Sequence, residues 1–163
     1  MKQTETTNIL ICGTGGQGIL TMAEIACRAA VIEGYHVKKS EVHGMAQRGG
    51  SVESHIRFGE QIFSPLIPQG MADILVCLDK GEHERTKHLL KPGGKDLFGY
   101  FEKAQAAIFE KKYLNSAMLG ALACFLTLTD GSWEKAFEQL LANKNLKENM
   151  GAFLKAKNLV GKD

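Results

Sequence analysis

Apolar positions fall along this chain in two rhythms, and the switches between them predict the order of its elements. Residues 8–12, NILIC, form a short apolar run of the kind buried on both faces of a parallel sheet. The glycine-rich GTGGQG follows, and then 19–33, ILTMAEIACRAAVIE, is apolar nearly all round and is stopped by Gly34. That pattern suits a helix packed on a sheet. A second strand is predicted around 35–42, YHVKKSEV. In 51–59, SVESHIRFG, Val52, Ser54, Ile56 and Phe58 alternate with Ser51, Glu53, His55 and Arg57. This is the period of a half-buried strand. With Gly59-Glu60 as the turn, QIFSPLIP at 61–68 predicts the return arm of a hairpin that Pro65 ends.

The parallel theme returns in DILVCL at 73–78, and a helix is predicted over 80–90, ending before the turn signal Pro92-Gly93-Gly94. In 95–112, AAIF at 106–109 reads either as a short strand or as the middle of a helix beginning near Phe101. Residues 114–128, LNSAMLGALACFLTL, predict an apolar helix. Asp130-Gly131-Ser132 breaks it and offers Ser132 as the N-cap of a helix through Trp133, and a last helix spans roughly 146–157. The sum is an α/β fold: a three-layer, Rossmann-like, mostly parallel sheet with an inserted antiparallel hairpin and helices on both faces. With no repeat, low-complexity tract or linker, residues 1–163 are expected to form a single domain.

Composition narrows the function classes. A chain of 163 residues can bury roughly two thirds of its unfolded surface and fold without staples. Its 20 basic and 18 acidic residues leave a net charge of +2. No basic stripe stands out beyond a modestly basic run at 144–162, so nucleic acid is not an expected partner. Cys12, Cys27, Cys77 and Cys124 each stand alone inside an apolar segment, with no CxxC. They read as small core residues rather than a disulfide framework, a metal site or an iron–sulfur site. The polar start MKQTETT lacks the apolar run of a secretion signal, and no stretch approaches the roughly 20 apolar residues of a membrane span. A cytoplasmic protein, not a membrane one, is the expectation.

Two loops carry the candidate chemistry. Gly13, Gly15 and Gly18 satisfy G-x-G-x-x-G between a strand and a helix, where a phosphate can sit on the helix N-terminus. The same glycines also serve a tight turn with close helix–sheet packing. Glu41 lies at the separation of a ribose-binding acid, yet the loop after it would crowd a ribose. The second loop, HGMAQRGG at 43–50, sets Arg48 beside Gly49 and Gly50. A guanidinium with five donors needs a partner. It either captures a carboxylate or phosphate, across a subunit boundary for example, or pairs with Glu41 or Glu53 and fixes the loop. His43 is a candidate proton donor or a hydrogen-bonded loop histidine. His36, His55, His83 and His88 show neither metal spacing nor an acidic partner at a telling distance and are assigned to surfaces.

The pairing of GTGGQGILT (13–21) with SEVHGMAQRGGSVESHIRFG (40–59), then SPLIP (64–68) and ADILVCLD (72–79), resembles the gamma-type subunit of the 2-oxoacid:ferredoxin oxidoreductases. The likeness is greatest to the beta subunit of the indolepyruvate branch. It extends through NSAMLGALA (115–123), Trp133 and ENMGAF (148–153), and so covers most of the chain. One departure is the stretch after Pro92-Gly93-Gly94, which is compressed to about twenty residues relative to the family pattern; a shortened or missing strand is expected there.

The resemblance implies a component of an enzyme. In that family a 2-oxo acid, coenzyme A and oxidised ferredoxin become an acyl-CoA, carbon dioxide and reduced ferredoxin. Thiamine diphosphate and iron–sulfur clusters carry the hard chemistry, and both are expected in a larger partner subunit. Gly13, Gly15, Gly16, Gln17 and Gly18, with Gly49 and Gly50, would then present donors to an anion, either a phosphate of coenzyme A or a group at the partner's diphosphate site. His43 and Arg48 would act catalytically, the Arg48 loop closing the pocket over substrate. The indolepyruvate branch implies an aryl pyruvate. Stripped of its mate, the subunit exposes an apolar patch that can pair with itself. The rival reading is a stand-alone Rossmann-like nucleotide-binding regulatory module. An independent dehydrogenase ranks last, because no positioned acid/base pair accompanies the glycine loop.

Overall fold

A five-stranded mixed sheet in the order β2-β3-β1-β4-β5 organises the molecule. The computed structural model describes residues 5–44 and 49–162. Strand β1 (Thr7–Thr14) lies at the centre, parallel to β4 (Ala72–Cys77) on one side and antiparallel to β3 (Ser51–Gly59) on the other. Beyond β3, antiparallel to it, runs β2 (His36–His43) as one edge, and β5 (Leu90–Asp96), parallel to β4, forms the other. The sheet is therefore not mostly parallel: two of its neighbour pairs are parallel and two antiparallel.

The predicted hairpin is corrected in its partner. Strand β3 does not turn back at Gly59 onto 61–68; it slots between β2 and β1, and 60–71 holds no strand. Pro65 and Pro68 lack the N–H that a ladder needs. The carbonyls of Ser64 and Leu66 instead accept from the Arg57 guanidinium at 3.0 and 3.3 Å. Likewise Pro92-Gly93-Gly94 is no simple turn but lies inside β5. An edge strand tolerates a proline, and the register irregularity between Ala72 and Ile74 absorbs Gly93, whose φ is 75°.

Helix α1 (Ile19–Ile32) follows β1 as its apolar pattern predicts, and α2 (Lys80–Thr86) is capped by Asp79, which accepts from the Glu82 N–H at 2.9 Å. Helix α2 is shorter than the predicted 80–90, because residues 87–89 tighten into a 3₁₀ turn. In the ambiguous stretch α3 spans Phe98–Ala107 and ends inside AAIF with Ile108 extended, so AAIF is neither a strand nor the middle of a helix. Helix α4 (Leu114–Ala123) ends earlier than expected, α5 spans Asp130–Leu141, and α6 (Leu146–Val160) runs longer. The N-cap of α5 is Thr129 rather than Ser132, and the Glu33 carboxylate reinforces it by accepting from the Thr129 N–H at 2.7 Å and the Ser132 hydroxyl at 2.6 Å.

Alternation along the strands sorts the core into two clusters. Ile9, Ile11, Val52, Ile56, Ile74 and Val76 face α1, α4, α5 and α6, where Trp133, Phe137 and Phe153 meet ring to ring at 5.2–5.4 Å. Leu10, Cys12, Leu75 and Cys77 face the other way, under Ile67 of the 60–71 segment and Leu89, Leu90 and Phe98. A Cβ on Gly120 of α4 would fall on the Phe153 carbonyl oxygen of α6. The NSAMLGALA and ENMGAF segments thus meet where only hydrogen fits. The cysteines behave as core residues: burial pushes the Cys27 thiol up to about 12, and the Cys77 contact together with burial holds the Cys12 thiol far above the ordinary range. Among the described residues no helix is long and apolar enough to cross a membrane.

Candidate functional site

Two glycine loops meet at the C-terminal end of β1. The Gly15 N–H donates to the Gly50 carbonyl at 2.9 Å, and the base of the second loop closes where the Gly44 N–H donates to the Ser51 carbonyl at 2.7 Å. The predicted juxtaposition of GTGGQG with HGMAQRGG is therefore a direct backbone contact at Gly15 and Gly50. Residues 45–48, Arg48 included, lie outside the described residues.

Within the first loop the glycines divide by what surrounds them. Gly13 is packed by its own chain: a Cβ there would meet Gln17 Oε1 at 2.5 Å and Ile19 Cδ1 at 2.7 Å. Gly18 is the left-handed N-cap of α1, at φ 77°, and a Cβ would strike the Asn115 amide. Among the described residues Gly16, at φ 94°, has nothing within 4 Å of its missing Cβ, and Gly49, at φ 64°, is equally open. The Gln17 side chain ties the loop down, since its Oε1 accepts from the Thr14 N–H at 2.8 Å and its Nε2 donates to the Leu78 carbonyl at 2.9 Å. Its amide thus shapes the loop from both sides.

The loop separates two clefts. One, of about 420 Å³, is lined by Thr14, Gly15, Gly16, Thr21, Val52 and His43. His43, exposed at the end of β2, thus shares a cleft with the first glycine loop. The second, of about 440 Å³, lies toward α3 and α4, where Gln17, Phe101, Gln105, Lys111, Lys112 and Asn115 gather. Lys112 is paired with Glu110 at 2.8 Å.

A polar chain that the sequence reading missed braces the second loop from below. Ser51 Oγ donates to Glu82 Oε1 at 2.6 Å, and the Arg85 guanidinium donates to Glu82 Oε2 at 2.7–2.9 Å. The same guanidinium reaches Glu53 Oε1 at 2.6 Å, and Glu53 Oε2 faces His55 Nε2 at 3.4 Å. On its other side His55 Nδ1 accepts from the Ile67 N–H at 3.3 Å, which leaves Nε2 to carry the proton toward Glu53. The His55 contact and the Arg85 charge hold the Glu53 carboxyl below its usual range against its burial. His55 is therefore buried and partnered, not a surface residue. His83 is corrected in the same way: its Nε2 meets Asp96 Oδ2 at 2.6 Å and its ring stacks on Phe98 at 4.2 Å. Spacing could have shown the first case, because residues two apart on a strand share a face. Nothing local shows that α2 delivers Arg85 beneath that loop.

Among the described residues Glu41 is met by Lys39 at 2.9 Å and Glu53 by Arg85 and His55. Among the described residues no group of three or more His, Cys, Asp or Glu side chains is placed to hold a metal ion.

Comparison with known proteins gives this geometry a family. The family model described as pyruvate ferredoxin/flavodoxin oxidoreductase matches residues 8–99, more than half of the chain, including both glycine loops. The indolepyruvate oxidoreductase subunit IorB of Thermococcus kodakarensis is 47% identical over 87 residues, covering 53% of this chain and 43% of that protein. Its counterpart in Archaeoglobus fulgidus is 52% identical over 83 residues, covering 51% and 41%. The chain spans less than half the length of these curated relatives. Among solved structures, the gamma subunit of a keto/oxoacid ferredoxin oxidoreductase from Geobacter sulfurreducens has a TM-score of 0.71 at 20% identity and covers 96% of this chain and 99% of its own. The 2-oxoglutarate:ferredoxin oxidoreductase of Magnetococcus marinus, solved with 2-oxoglutarate, coenzyme A and succinyl-CoA, has a TM-score of 0.83 at 18% identity over 99% of this chain and 32% of that one. The structural likenesses share the fold, and the family match over residues 8–99 shows that this chain belongs to the pyruvate ferredoxin/flavodoxin oxidoreductase family.

Proposed function

We propose that this chain is the small, gamma-type subunit of a 2-oxoacid:ferredoxin oxidoreductase that acts on an aryl pyruvate such as indolepyruvate, and that it works only when joined to a larger subunit. The observation that carries this reading is the Gly15–Gly50 contact, which sets two loops with unfilled glycine positions around one cleft holding His43. Open positions at Gly16 and Gly49 leave room for a ligand or a second chain to approach the backbone. The larger subunit holds thiamine diphosphate, which supplies the decarboxylation chemistry, and the iron–sulfur clusters that pass electrons to ferredoxin.

This chain's contribution is positional and electrostatic. In the 420 Å³ cleft His43 binds and orients the substrate's carboxylate, a role the sequence motif assigns also to Arg48, and water is excluded as the two subunits close. In the 440 Å³ cleft the backbone of Gly16 and Gly18, in a loop held by Gln17, receives the phosphates of coenzyme A with Lys111 and Asn115. Oriented N–H groups and a lysine in a low-dielectric cleft can contribute several kcal/mol to binding and to the barrier.

The test is reconstitution. Mixed with the thiamine- and cluster-bearing chain of the same organism, this protein is expected to support ferredoxin reduction that depends on both aryl pyruvate and coenzyme A, with neither chain active alone. A rise in melting temperature with NAD or FAD, and no activity on reconstitution, would favour a stand-alone nucleotide-binding module instead.

A further inference from the structure

From the geometry of the edge strand β2, which has no second strand neighbour among the described residues, we propose that two copies of this chain pair through β2 in antiparallel register about Ser40, joining their sheets into one. The inference is independent of the catalytic reading. It begins with hydrogen-bond parity. In an antiparallel pair the residues that exchange both backbone bonds with a neighbour alternate with those that point away. The Gly44 N–H donates to the Ser51 carbonyl, so the even-numbered residues of β2 face β3. Val37, Lys39, Glu41 and His43 therefore present their N–H and C=O groups outward from the sheet edge. Strand β2 is eight residues long, with no proline and no bulge in its pairing to β3. Such an edge is a template for another strand unless something disfavours pairing.

Charge selects the occupant and the register. A two-fold axis perpendicular to the sheet maps each residue onto one of the same face, so the axis must pass through a residue position. Centred on Lys39, it sets Lys39 against the partner's Lys39. Centred on Glu41, it sets Glu41 against the partner's Glu41. Both place like charges directly opposite, which destabilises a pair. Centred on Ser40, it sets Lys39, which already meets Glu24 and Glu41 of its own chain at 2.8 and 2.9 Å, against the partner's Glu41, and Glu41 against the partner's Lys39, so that the two intrachain pairs join in one alternating cluster, with Val37 against the partner's His43. On the other face it lays the Lys38 stem over the partner's Val42, and Val42 is 45% exposed in the single chain. This register makes about eight new backbone hydrogen bonds. The strand HVKKSEVH is thus self-complementary in one central register and repulsive in the two beside it.

Sedimentation velocity on the full chain at micromolar concentration tests the proposal. Wild type is expected to run as a dimer. Lys39→Glu alone and Glu41→Lys alone should each run as monomers, and the double reversal should restore the dimer. Circular dichroism melts show whether each variant is folded. As a readout that survives a poorly folding charge variant, Ser40→Cys should cross-link to a dimer under mild oxidation. Opposed non-hydrogen-bonded residues lie about 4.5 Å apart between Cα atoms, within the disulfide range of roughly 4.4–6.8 Å, whereas the same chain with Ser40 retained, carrying Cys124→Ser in both cases because Cys124 is only half-buried while Cys12, Cys27 and Cys77 are buried, should not cross-link. A monomeric wild type, a dimer indifferent to the single reversals, or no cross-link through Ser40→Cys while the chain is dimeric would overturn it.

Discussion

Gly120 and Gly16 are the same residue put to opposite uses. At Gly120 the missing side chain is filled by the molecule itself: the Phe153 carbonyl of α6 occupies the place where a Cβ would stand. At Gly16 nothing among the described residues fills it within 4 Å, although the backbone is held at φ 94°, where other residues are strained. The first glycine is explained by the fold of this chain. Among the described residues nothing fills the second, nor Gly49 on the facing loop. On the proposed reading the helical face of the molecule is complete in itself, while the rim at the end of β1 meets something that this chain does not supply.

Substitution at the two positions should separate the regions. Gly120→Val forces α4 and α6 apart and should cost on the order of 3 kcal/mol or more, lowering the melting temperature by roughly 10 °C; thermal denaturation followed by circular dichroism checks this. Gly16→Ala meets no atom of the described residues and should cost only about 1–2 kcal/mol of backbone strain, yet it should cut turnover of the reconstituted complex by more than tenfold. A Gly16→Ala complex with full turnover would make the rim an ordinary turn.

A smaller effect sharpens the claim that the helical side is self-contained. Hydrogen bonds from the Ser132 and Thr129 side chains and the Thr129 N–H hold the Glu33 carboxyl below its ordinary range. A carboxyl depressed in the folded state stabilises above its unfolded pKa, and that contribution disappears as pH falls through the folded value. Glu33→Gln should therefore lower stability modestly at neutral pH and flatten the acid limb of a stability–pH curve, with no change in turnover per folded molecule. Urea titrations between pH 7 and pH 3 would show it.

Much of this architecture was legible before any coordinates. The unit of β1, glycine loop and α1 declares itself through NILIC, GTGGQG and the apolar run after it, because buried strands and sheet-packed helices have compositions of their own. Alternation in 51–59 marked β3 as a strand but not its neighbours. Period two says which face is buried; it does not say that β1 and β2 flank the strand. Pro92-Gly93-Gly94 misled because an edge strand tolerates residues that a central one rejects. At the site, both loops and His43 were visible as motifs, whereas the Ser51–Glu82–Arg85–Glu53 brace was not, since its members come from β3 and α2 and meet only in three dimensions.

The central claim is that the rim at Gly15 and Gly50 completes a reactive site shared with a larger subunit. Turnover of the reconstituted complex carrying Arg48→Ala, measured beside the melting temperature of the isolated variant, tests it most directly. The account predicts a loss of roughly a hundredfold in turnover with the melting temperature unchanged. Wild-type turnover in that variant would contradict it.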